Sequence, residues 1–150
     1  MQTATALNDD RAKAVARAPC VLVVDDDPGV RLLCTTTLRL EGYEAIEAAT
    51  GQEGFERAVA ETPDLALLDV ELPEIDGFGL AAALLRHERT RRLPLVFLTA
   101  DPDPGIEALA YEAGALGVFA KPLDPEDVGL FVNRALAHLV PRQWPPPSHR

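Results

Sequence analysis

The sequence predicts a single α/β domain in which five parallel strands alternate with five helices around a doubly wound sheet. Four continuous apolar runs support this prediction, because strands buried on both faces of a parallel sheet lack a polar alternation. The runs are Val21–Val24, Leu65–Leu68, Leu95–Leu98 and Gly117–Ala120. Helix-like segments separate the runs, and this alternation favours right-handed crossovers. A length of 150 residues fits one domain with a substantial core.

The first helix and the second strand are predicted from turn residues and periodicity. The helix is expected over residues 28–40, since Pro28 suits a first turn and Gly42 suits a stop. Its predicted inward face consists of Val30, Leu33, Thr37 and Leu40. A short strand is expected over residues 43–48, between this helix and the next.

The later helices begin at polar residues typical of helix starts. Thr50 and Glu53 have the spacing of a capping box, and the last helix opens with an acidic first turn. The predicted ranges of the second to fifth helices are about 50–60, 76–89, 105–113 and 124–140. Together with the strands, these helices complete a (βα)5 pattern.

Arginines cluster around the predicted end of the third helix, at Arg86, Arg89, Arg91 and Arg92. Two interpretations are open. The cluster is either a docking patch, or a set of cations that complements the negative end of the helix dipole. The dipole interpretation is the one favoured by the sequence.

Composition excludes several classes of function. The net charge of −10 disfavours direct nucleic-acid binding, because such affinity comes largely from cations that neutralise phosphates. No apolar run approaches the ~20 residues of a membrane-spanning helix. The only cysteines, Cys20 and Cys34, suggest neither a disulfide framework nor a zinc site and are predicted to be buried. The start of the chain lacks the apolar stretch of a signal peptide, so we expect a cytoplasmic protein.

Three segments are expected along the chain. Residues 1–18 lack a strong pattern and are predicted to form a flexible arm, and residues 19–140 form the domain. Residues 141–150 form a Pro-rich tail in which Trp144 is a possible docking residue.

Acids, a hydroxyl and a lysine follow the apolar runs. Asp25, Asp26 and Asp27 come after the first run, and Asp69, Thr99 and Lys121 come at the ends of later strands. The carboxyl ends of parallel strands share one edge of a sheet, and ligands bind there. Clustered carboxylates need a cation, and Mg²⁺ prefers carboxylate and phosphate oxygens. The pattern therefore predicts phosphoryl transfer to a carboxylate nucleophile.

Each residue of this edge has a predicted role. Asp69 is the predicted phosphoacceptor, stabilised by the Thr99 hydroxyl and the Lys121 ammonium. Asp26 and Asp69 are the predicted direct ligands of Mg²⁺, with Asp25 acting mainly through a water molecule. The backbone carbonyl of Glu71 is a further predicted ligand. Asp27 is expected to point elsewhere, because neighbouring residues of a strand alternate in direction.

Over about residues 20–140 the chain resembles the response-regulator receiver domains of two-component signalling. The matching motifs are Val21–Pro28, Leu67–Gly77, Leu98–Ala100, Ala113–Ala115 and Lys121–Pro122. The resemblance implies a flavodoxin-like sheet in the order 2-1-3-4-5 and phosphorylation of Asp69 by a histidine kinase or a histidine phosphotransfer protein, with Mg²⁺. It also implies a domain that catalyses its own phosphorylation and dephosphorylation without being a conventional turnover enzyme.

One position departs from the family pattern. Receivers commonly carry Tyr or Phe three residues before the lysine, where this chain has Val118. The aromatic residue is Phe119, and an offset of one residue points to the opposite face of a strand. Phosphorylation is still expected to draw Thr99 and the loop from Ala100 onward inward, but without the turning of an aromatic ring.

Two acids occupy positions that tune the lifetime of the phosphoryl group in the family. Glu71 lies two residues after Asp69, and Asp101 lies two residues after Thr99. Both are expected to repel small anionic donors, so slow labelling by acetyl phosphate is predicted.

Other functions remain as alternatives. A flavodoxin-like cofactor binder would need a Gly/Ser/Thr-rich phosphate cradle instead of the aspartates after the first strand. A haloacid-dehalogenase-type phosphatase would need a second Asp at the position of Glu71. A docking module whose output is independent of phosphate, and a relay that passes phosphate to a histidine phosphotransfer protein, both stay open. The output partner is expected to be a separate effector protein, and the oligomeric state is open, a homodimer included.

Overall fold

The computed structural model describes residues 17–139, and within this range the side chains of residues 138 and 139 are not described. The predicted arm up to residue 16 and the predicted tail with Trp144 lie outside the described residues. The strands are β1 (Cys20–Val24), β2 (Glu44–Ala48), β3 (Leu65–Asp69), β4 (Leu95–Thr99) and β5 (Gly117–Ala120). The helices are α1 (Pro28–Leu40), α2 (Gly51–Glu61), α3 (Gly77–Arg86), α4 (Pro104–Glu112) and α5 (Pro125–Leu139).

All strand pairs are parallel, and the order β2-β1-β3-β4-β5 confirms the predicted doubly wound sheet. β1, β3 and β4 are buried along their whole length, as their continuous apolar runs predict. The carboxyl ends of β1, β3 and β4 therefore form one edge at the centre of the sheet. None of the helices in the described part of the chain is long and apolar enough to cross a membrane.

Two apolar layers flank the sheet. The α1 and α5 layer packs Cys34 and Leu38 against Val128 and Val132. The opposite layer, formed by α2, α3 and α4, is centred on Leu80 and contacts Phe97 of β4. The face predicted for α1 is wrong at Leu40, which is 82% exposed. The buried ridge of α1 instead runs through residues at a spacing of four, Cys34 and Leu38.

Helix starts follow the predicted chemistry closely. Thr50 caps α2 by accepting a hydrogen bond from the Glu53 amide at 3.0 Å, and Glu53 accepts one from the Ala49 amide at 2.8 Å. Asp27, Asp76 and Asp103 cap α1, α3 and α4 in the same way. These polar caps satisfy amides that have no partner within the helix.

The end of α3 differs from the prediction, because the helix stops at Arg86 rather than near Arg89. His87 adopts an extended conformation with φ −95° and ψ 133°. The buried Thr90 hydroxyl then donates a hydrogen bond to the Leu84 carbonyl at 2.7 Å. This bond satisfies a carbonyl at the helix end and anchors the following connection.

Candidate functional site

Three carboxylates meet at the carboxyl edge of the sheet. One oxygen from each of Asp25, Asp26 and Asp69 lies within 4.8 Å of the others. Asp25 and Asp69 are buried, whereas Asp26 is exposed. The strand ends thus bring together the acids that the sequence predicts, with an opening to solvent on the side of Asp26.

Asp25 follows β1 and is held in place by hydrogen bonds to both its side chain and its backbone carbonyl. Its Oδ1 accepts a hydrogen bond from the Asp27 amide at 2.9 Å. Its carbonyl oxygen accepts one from Arg31 Nη1 at 2.8 Å, and Arg31 Nε pairs with Glu47 at 2.8 Å. Asp27 itself is exposed and accepts a hydrogen bond from the Gly29 amide at 2.8 Å. Asp27 is therefore a helix cap outside the acid cluster, as predicted.

Arg31 is a structural residue of the site that sequence reasoning missed. Its guanidinium joins the carbonyl of Asp25 to a carboxylate on β2. Position in the first helix gives no signal of this contact, because the partner in the loop is a backbone atom.

Lys121 is the cation nearest to the acid cluster among the described residues. Its Nζ lies 2.6 Å from Asp25 Oδ2 and 3.3 Å from Asp69 Oδ1. The Lys121 amide also donates a hydrogen bond to the Thr99 carbonyl at 2.8 Å, which ties the lysine to the end of β4. Burial alone would lower the pKa of Lys121, but hydrogen bonding and charge from Asp25, and then from Asp69, outweigh it and raise this pKa.

Asp69 lies in an environment that disfavours its ionised form. Burial, followed by the charge of Asp25, raises its pKa above the usual 3.8. The Glu71 amide, which donates to Asp69 Oδ1 at 3.2 Å, and Lys121 both oppose this rise. A divalent cation bound beside Asp69 would neutralise this excess of negative charge.

Thr99 is buried at the end of β4, on the same edge. Its hydroxyl oxygen accepts a hydrogen bond from the Asp101 amide at 3.1 Å. Ala100 and Asp101 are exposed in the loop that follows, and the Glu71 side chain is exposed as well. The residues predicted to tune phosphoryl lifetime therefore lie beside the cluster, at its solvent side.

The start of α3 is pressed against the strand that carries Asp69. A Cβ at Gly77 would overlap the carbonyl oxygen of Asp69 and lie 2.9 Å from the Val70 Cα. The Gly77 amide donates a hydrogen bond to the Val70 carbonyl at 2.9 Å. Only glycine permits this approach, a requirement that sequence reasoning did not identify.

Val118 and Phe119 face opposite layers, as the strand alternation predicts. Val118 packs against the α2, α3 and α4 layer, on the side of Phe97. Phe119 packs against Phe131 of α5, with ring centroids 5.1 Å apart and planes at 81°. The aromatic residue of β5 is thus part of the α5 layer, away from the position of Val118.

The donor set fits a hard divalent cation. Three carboxylates face a single ammonium, so the described cluster carries more negative than positive charge. Mg²⁺ is bound in proteins by one or two carboxylates and keeps several waters. The exposed position of Asp26 leaves this site open to water. Asp25, Asp26 and Asp69 are therefore suitable magnesium ligands.

The family model described as the response regulator receiver domain matches residues 21–132, which include the whole acid edge. The chain belongs to this family. The match covers β1 from Val21 onward and the other four strands entirely, so the acid cluster, Thr99 and Lys121 lie within the receiver fold.

Among curated relatives of this receiver domain is the DNA-binding dual master transcriptional regulator RpaA of Synechocystis sp. It is 36% identical over 110 residues, which are 73% of this chain and 46% of RpaA. The transcriptional regulatory protein SrrA of Staphylococcus aureus is 36% identical over 116 residues, which are 77% of this chain and 47% of SrrA. The chain thus spans about half the length of the curated relatives it matches.

Solved structures resemble the receiver domain over most of its length. A putative response regulator from Chloroflexus aurantiacus has a TM-score of 0.75 and 36% identity, covering 81% of this chain and 99% of that one. The chemotaxis protein CheY4 of Vibrio cholerae has a TM-score of 0.72 and 29% identity, covering 82% of this chain and 99% of CheY4. The fold and the family agree with the resemblance found in the sequence.

Proposed function

We propose that this receiver domain accepts a phosphoryl group on Asp69 from a phosphohistidine donor and thereby changes its affinity for a separate effector protein. The observation that carries the proposal is the surroundings of Asp69. Its Oδ1 lies 3.3 Å from the Lys121 Nζ, and one of its oxygens lies within 4.8 Å of an oxygen of each of the two other carboxylates. No purely structural role requires three acids and one lysine at one edge of a sheet. A phosphoryl acceptor with a bound cation does.

The donor supplies the phosphoryl group, and the protein positions it. An Asp69 oxygen forms a bond to phosphorus as the phosphorus–nitrogen bond of the donor breaks. The electron pair of that bond leaves on the imidazole nitrogen, which takes up a proton from solvent. Lys121 pairs with the new charge, and the Thr99 hydroxyl donates a hydrogen bond to a phosphoryl oxygen. The Thr99 oxygen accepts a hydrogen bond from the Asp101 amide, which leaves the hydroxyl proton free for this donation.

Mg²⁺, when bound by Asp25, Asp26 and Asp69, neutralises negative charge that otherwise repels the donor. The predicted carbonyl ligand at Glu71 belongs to the same proposal. Asp25 also keeps Lys121 close, because its Oδ2 lies 2.6 Å from the Lys121 Nζ. The lysine is then available to either Asp25 or a phosphorylated Asp69.

Labelling with phosphoramidate, a small donor with a phosphorus–nitrogen bond, tests the proposal. We expect one phosphoryl group per chain in the presence of Mg²⁺, detected by intact-protein mass spectrometry and removed by hydroxylamine, which cleaves acyl phosphates. Asp69→Ala is expected to abolish labelling, whereas Asp27→Ala, which changes an acid outside the cluster, is expected to retain it. Mg²⁺-dependent labelling of Asp69→Ala at the normal rate would refute the assignment.

Neighbouring acids give a second readout of the same site. Glu71 and Asp101 are expected to slow labelling by acetyl phosphate, because both are exposed acids beside the acceptor. Glu71→Ala should therefore increase the labelling rate by about two- to fivefold at low ionic strength. Fast labelling of the unchanged protein that Glu71→Ala leaves unaltered would contradict the predicted role of these acids.

A further inference from the structure

The arginines after α3 are not explained by the helix dipole. The helix ends at Arg86, and the stabilising effect of a cation falls off beyond the last turn. Arg89, Arg91 and Arg92 lie in the connection to β4, outside that turn. The interpretation favoured by the sequence therefore accounts for Arg86 alone.

Arg89 has a structural contact, but the next two arginines do not. Arg89 Nε donates a hydrogen bond to the Val59 carbonyl at 2.8 Å, in the last turn of α2. Arg91 and Arg92 are exposed, and neither makes a hydrogen bond or an ion pair with any residue in the range 17–139 that the structure describes. These two guanidinium groups are available to a partner.

An apolar cavity lies beside these arginines. It has a volume of about 300 Å³ and lies between the end of α3 and the starts of β4 and β5. Its lining includes Leu85, Arg91, Arg92 and Leu116, which we call the arginine surface. Leu85 is 61% exposed and Leu116 is 45% exposed. Exposed apolar side chains around a cavity are typical of an interaction site.

We infer that the arginine surface binds an acidic segment of a partner protein, which places one apolar side chain in the cavity between α3 and β4. Charge complementarity identifies the occupant. The segment 86–92 contains four arginines and a single acid, Glu88, in a chain whose net charge is −10. A short acidic segment would be attracted by these arginines and is small enough not to approach the acids on the rest of the surface.

Size and charge together disfavour more extended anions. A nucleic acid or a membrane presents negative charge over an area much larger than this surface, and the remaining surface of the chain is acidic overall. A cavity of about 300 Å³ accepts a side chain rather than a stacked series of bases. Asp64 lines the adjoining cavity together with Arg89 and Arg92, but among the described residues it forms no ion pair with either, and its carboxylate accepts a hydrogen bond from the Cys20 amide at 2.7 Å.

The arginine surface lies at the end of the sheet opposite to the acid cluster. Its residues surround the starts of β4 and β5, whereas Asp69 and Thr99 are at strand ends. A partner bound there leaves the path to Asp69 open. The inference therefore goes beyond the proposed function, since it assigns a tether that does not depend on phosphorylation.

Fluorescence anisotropy with a labelled synthetic peptide tests the inference on the unphosphorylated protein. The peptide carries several Glu and Asp residues around one Leu, and a matched peptide carries Gln and Asn instead. We expect only the acidic peptide to bind, and Arg92→Glu to weaken its binding about tenfold. The matched control is Arg134→Glu, which makes the same charge change at an exposed arginine of α5 and is expected to alter binding by less than about twofold.

A second pair of variants tests the contribution of the exposed leucine beside the cavity. Leu85→Ser is expected to weaken binding about fivefold, and Leu130→Ser, at a 45% exposed leucine of α5, to leave it unchanged. Asp69 labelling should be normal in Arg92→Glu and Leu85→Ser, which separates this inference from the proposed function. Equal weakening by Arg92→Glu and Arg134→Glu would overturn the inference. So would Arg92-dependent binding to phosphatidylglycerol vesicles without peptide binding, or Arg92-dependent self-association of the chain.

Discussion

The two ends of the sheet differ in whether their charged side chains are buried and paired or exposed and unpaired among the described residues. At the carboxyl ends of the strands, Asp25 and Asp69 are buried and Lys121 is held between them at 2.6 and 3.3 Å. At the other end, Arg91 and Arg92 are exposed and have no ion-pair partner among the residues described. Buried charges of opposite sign depend on one another, whereas exposed charges interact weakly with the fold. The first end is therefore expected to couple strongly to stability, and the second to stay available for a partner.

The largest effect on stability is expected from Lys121→Met, which leaves Asp25 and Asp69 together without their common cation. We expect the free energy of unfolding to fall by about 3 kcal/mol at neutral pH without added Mg²⁺, as measured by urea denaturation. The pKa of Lys121 is raised above its usual 10.5, so the stabilisation by this cation is fully present at pH values below 10.5. Its contribution is lost as the pH rises through the folded-state pKa, so the difference between the two proteins should shrink in that alkaline range.

Arg57→Met is the control for that comparison. It removes a cation from an exposed pair, 3.7 Å from Glu61, and is expected to cost less than about 0.5 kcal/mol. A loss as small for Lys121→Met as for Arg57→Met would show that burial does not make the contribution of Lys121 to stability larger than that of an exposed ion pair.

An intermediate effect of opposite sign is expected from Asp69→Asn. The raised pKa of Asp69 means that the folded state binds the proton more tightly than the unfolded state. The stability of the unchanged protein therefore falls as the pH rises from the usual 3.8 through the higher folded value. Asp69→Asn should lack this fall and be about 1 kcal/mol more stable at neutral pH in EDTA, by urea denaturation.

Asp26→Asn removes the same charge from an exposed carboxylate of the cluster and should have a smaller effect. If Asp69→Asn proves less stable than the unchanged protein in EDTA, attraction to Lys121 outweighs repulsion within the cluster, and the account of its electrostatics is wrong.

The smallest effect is expected at the arginine surface. Arg92→Gln should change the free energy of unfolding by less than about 0.5 kcal/mol, because this guanidinium makes no described contact that the fold needs. Arg89→Gln is the sharper comparison, since it loses the hydrogen bond to the Val59 carbonyl and should cost about 1 kcal/mol. Equal and large losses in both variants by thermal denaturation would mean that Arg92 serves the fold.

The sheet and most of the acid edge were predictable because their signals are local. Continuous apolar runs identify buried strands, and the residue after each run lies at the same edge whatever the details of packing. Contacts with distant backbone atoms were not predictable. Arg31 binds the carbonyl of Asp25, and Gly77 lies against the carbonyl of Asp69, so neither partner has a side-chain signal.

The end of α3 shows how a distant hydrogen bond changes an interpretation. Periodicity extends the helix to about Arg89, but the helix ends at Arg86, where His87 is extended and the Thr90 hydroxyl donates a hydrogen bond to the Leu84 carbonyl. Because the helix is shorter, its dipole explains Arg86 but not Arg89, Arg91 or Arg92. The docking interpretation, which the sequence left open, therefore depends on the observed end of the helix.

The close contact at Gly77 restricts movement of α3 relative to β3. With no side chain at this position, the helix start lies directly on the backbone of Asp69 and donates its amide to the Val70 carbonyl. A shift of α3 relative to the sheet would cause a steric clash between the backbones of Gly77 and Asp69, or would break the hydrogen bond from the Gly77 amide to the Val70 carbonyl. In the proposed function, motion that follows phosphorylation of Asp69 would therefore occur on the other side, in the loop of Ala100 and Asp101 and in α4, where most residues are exposed.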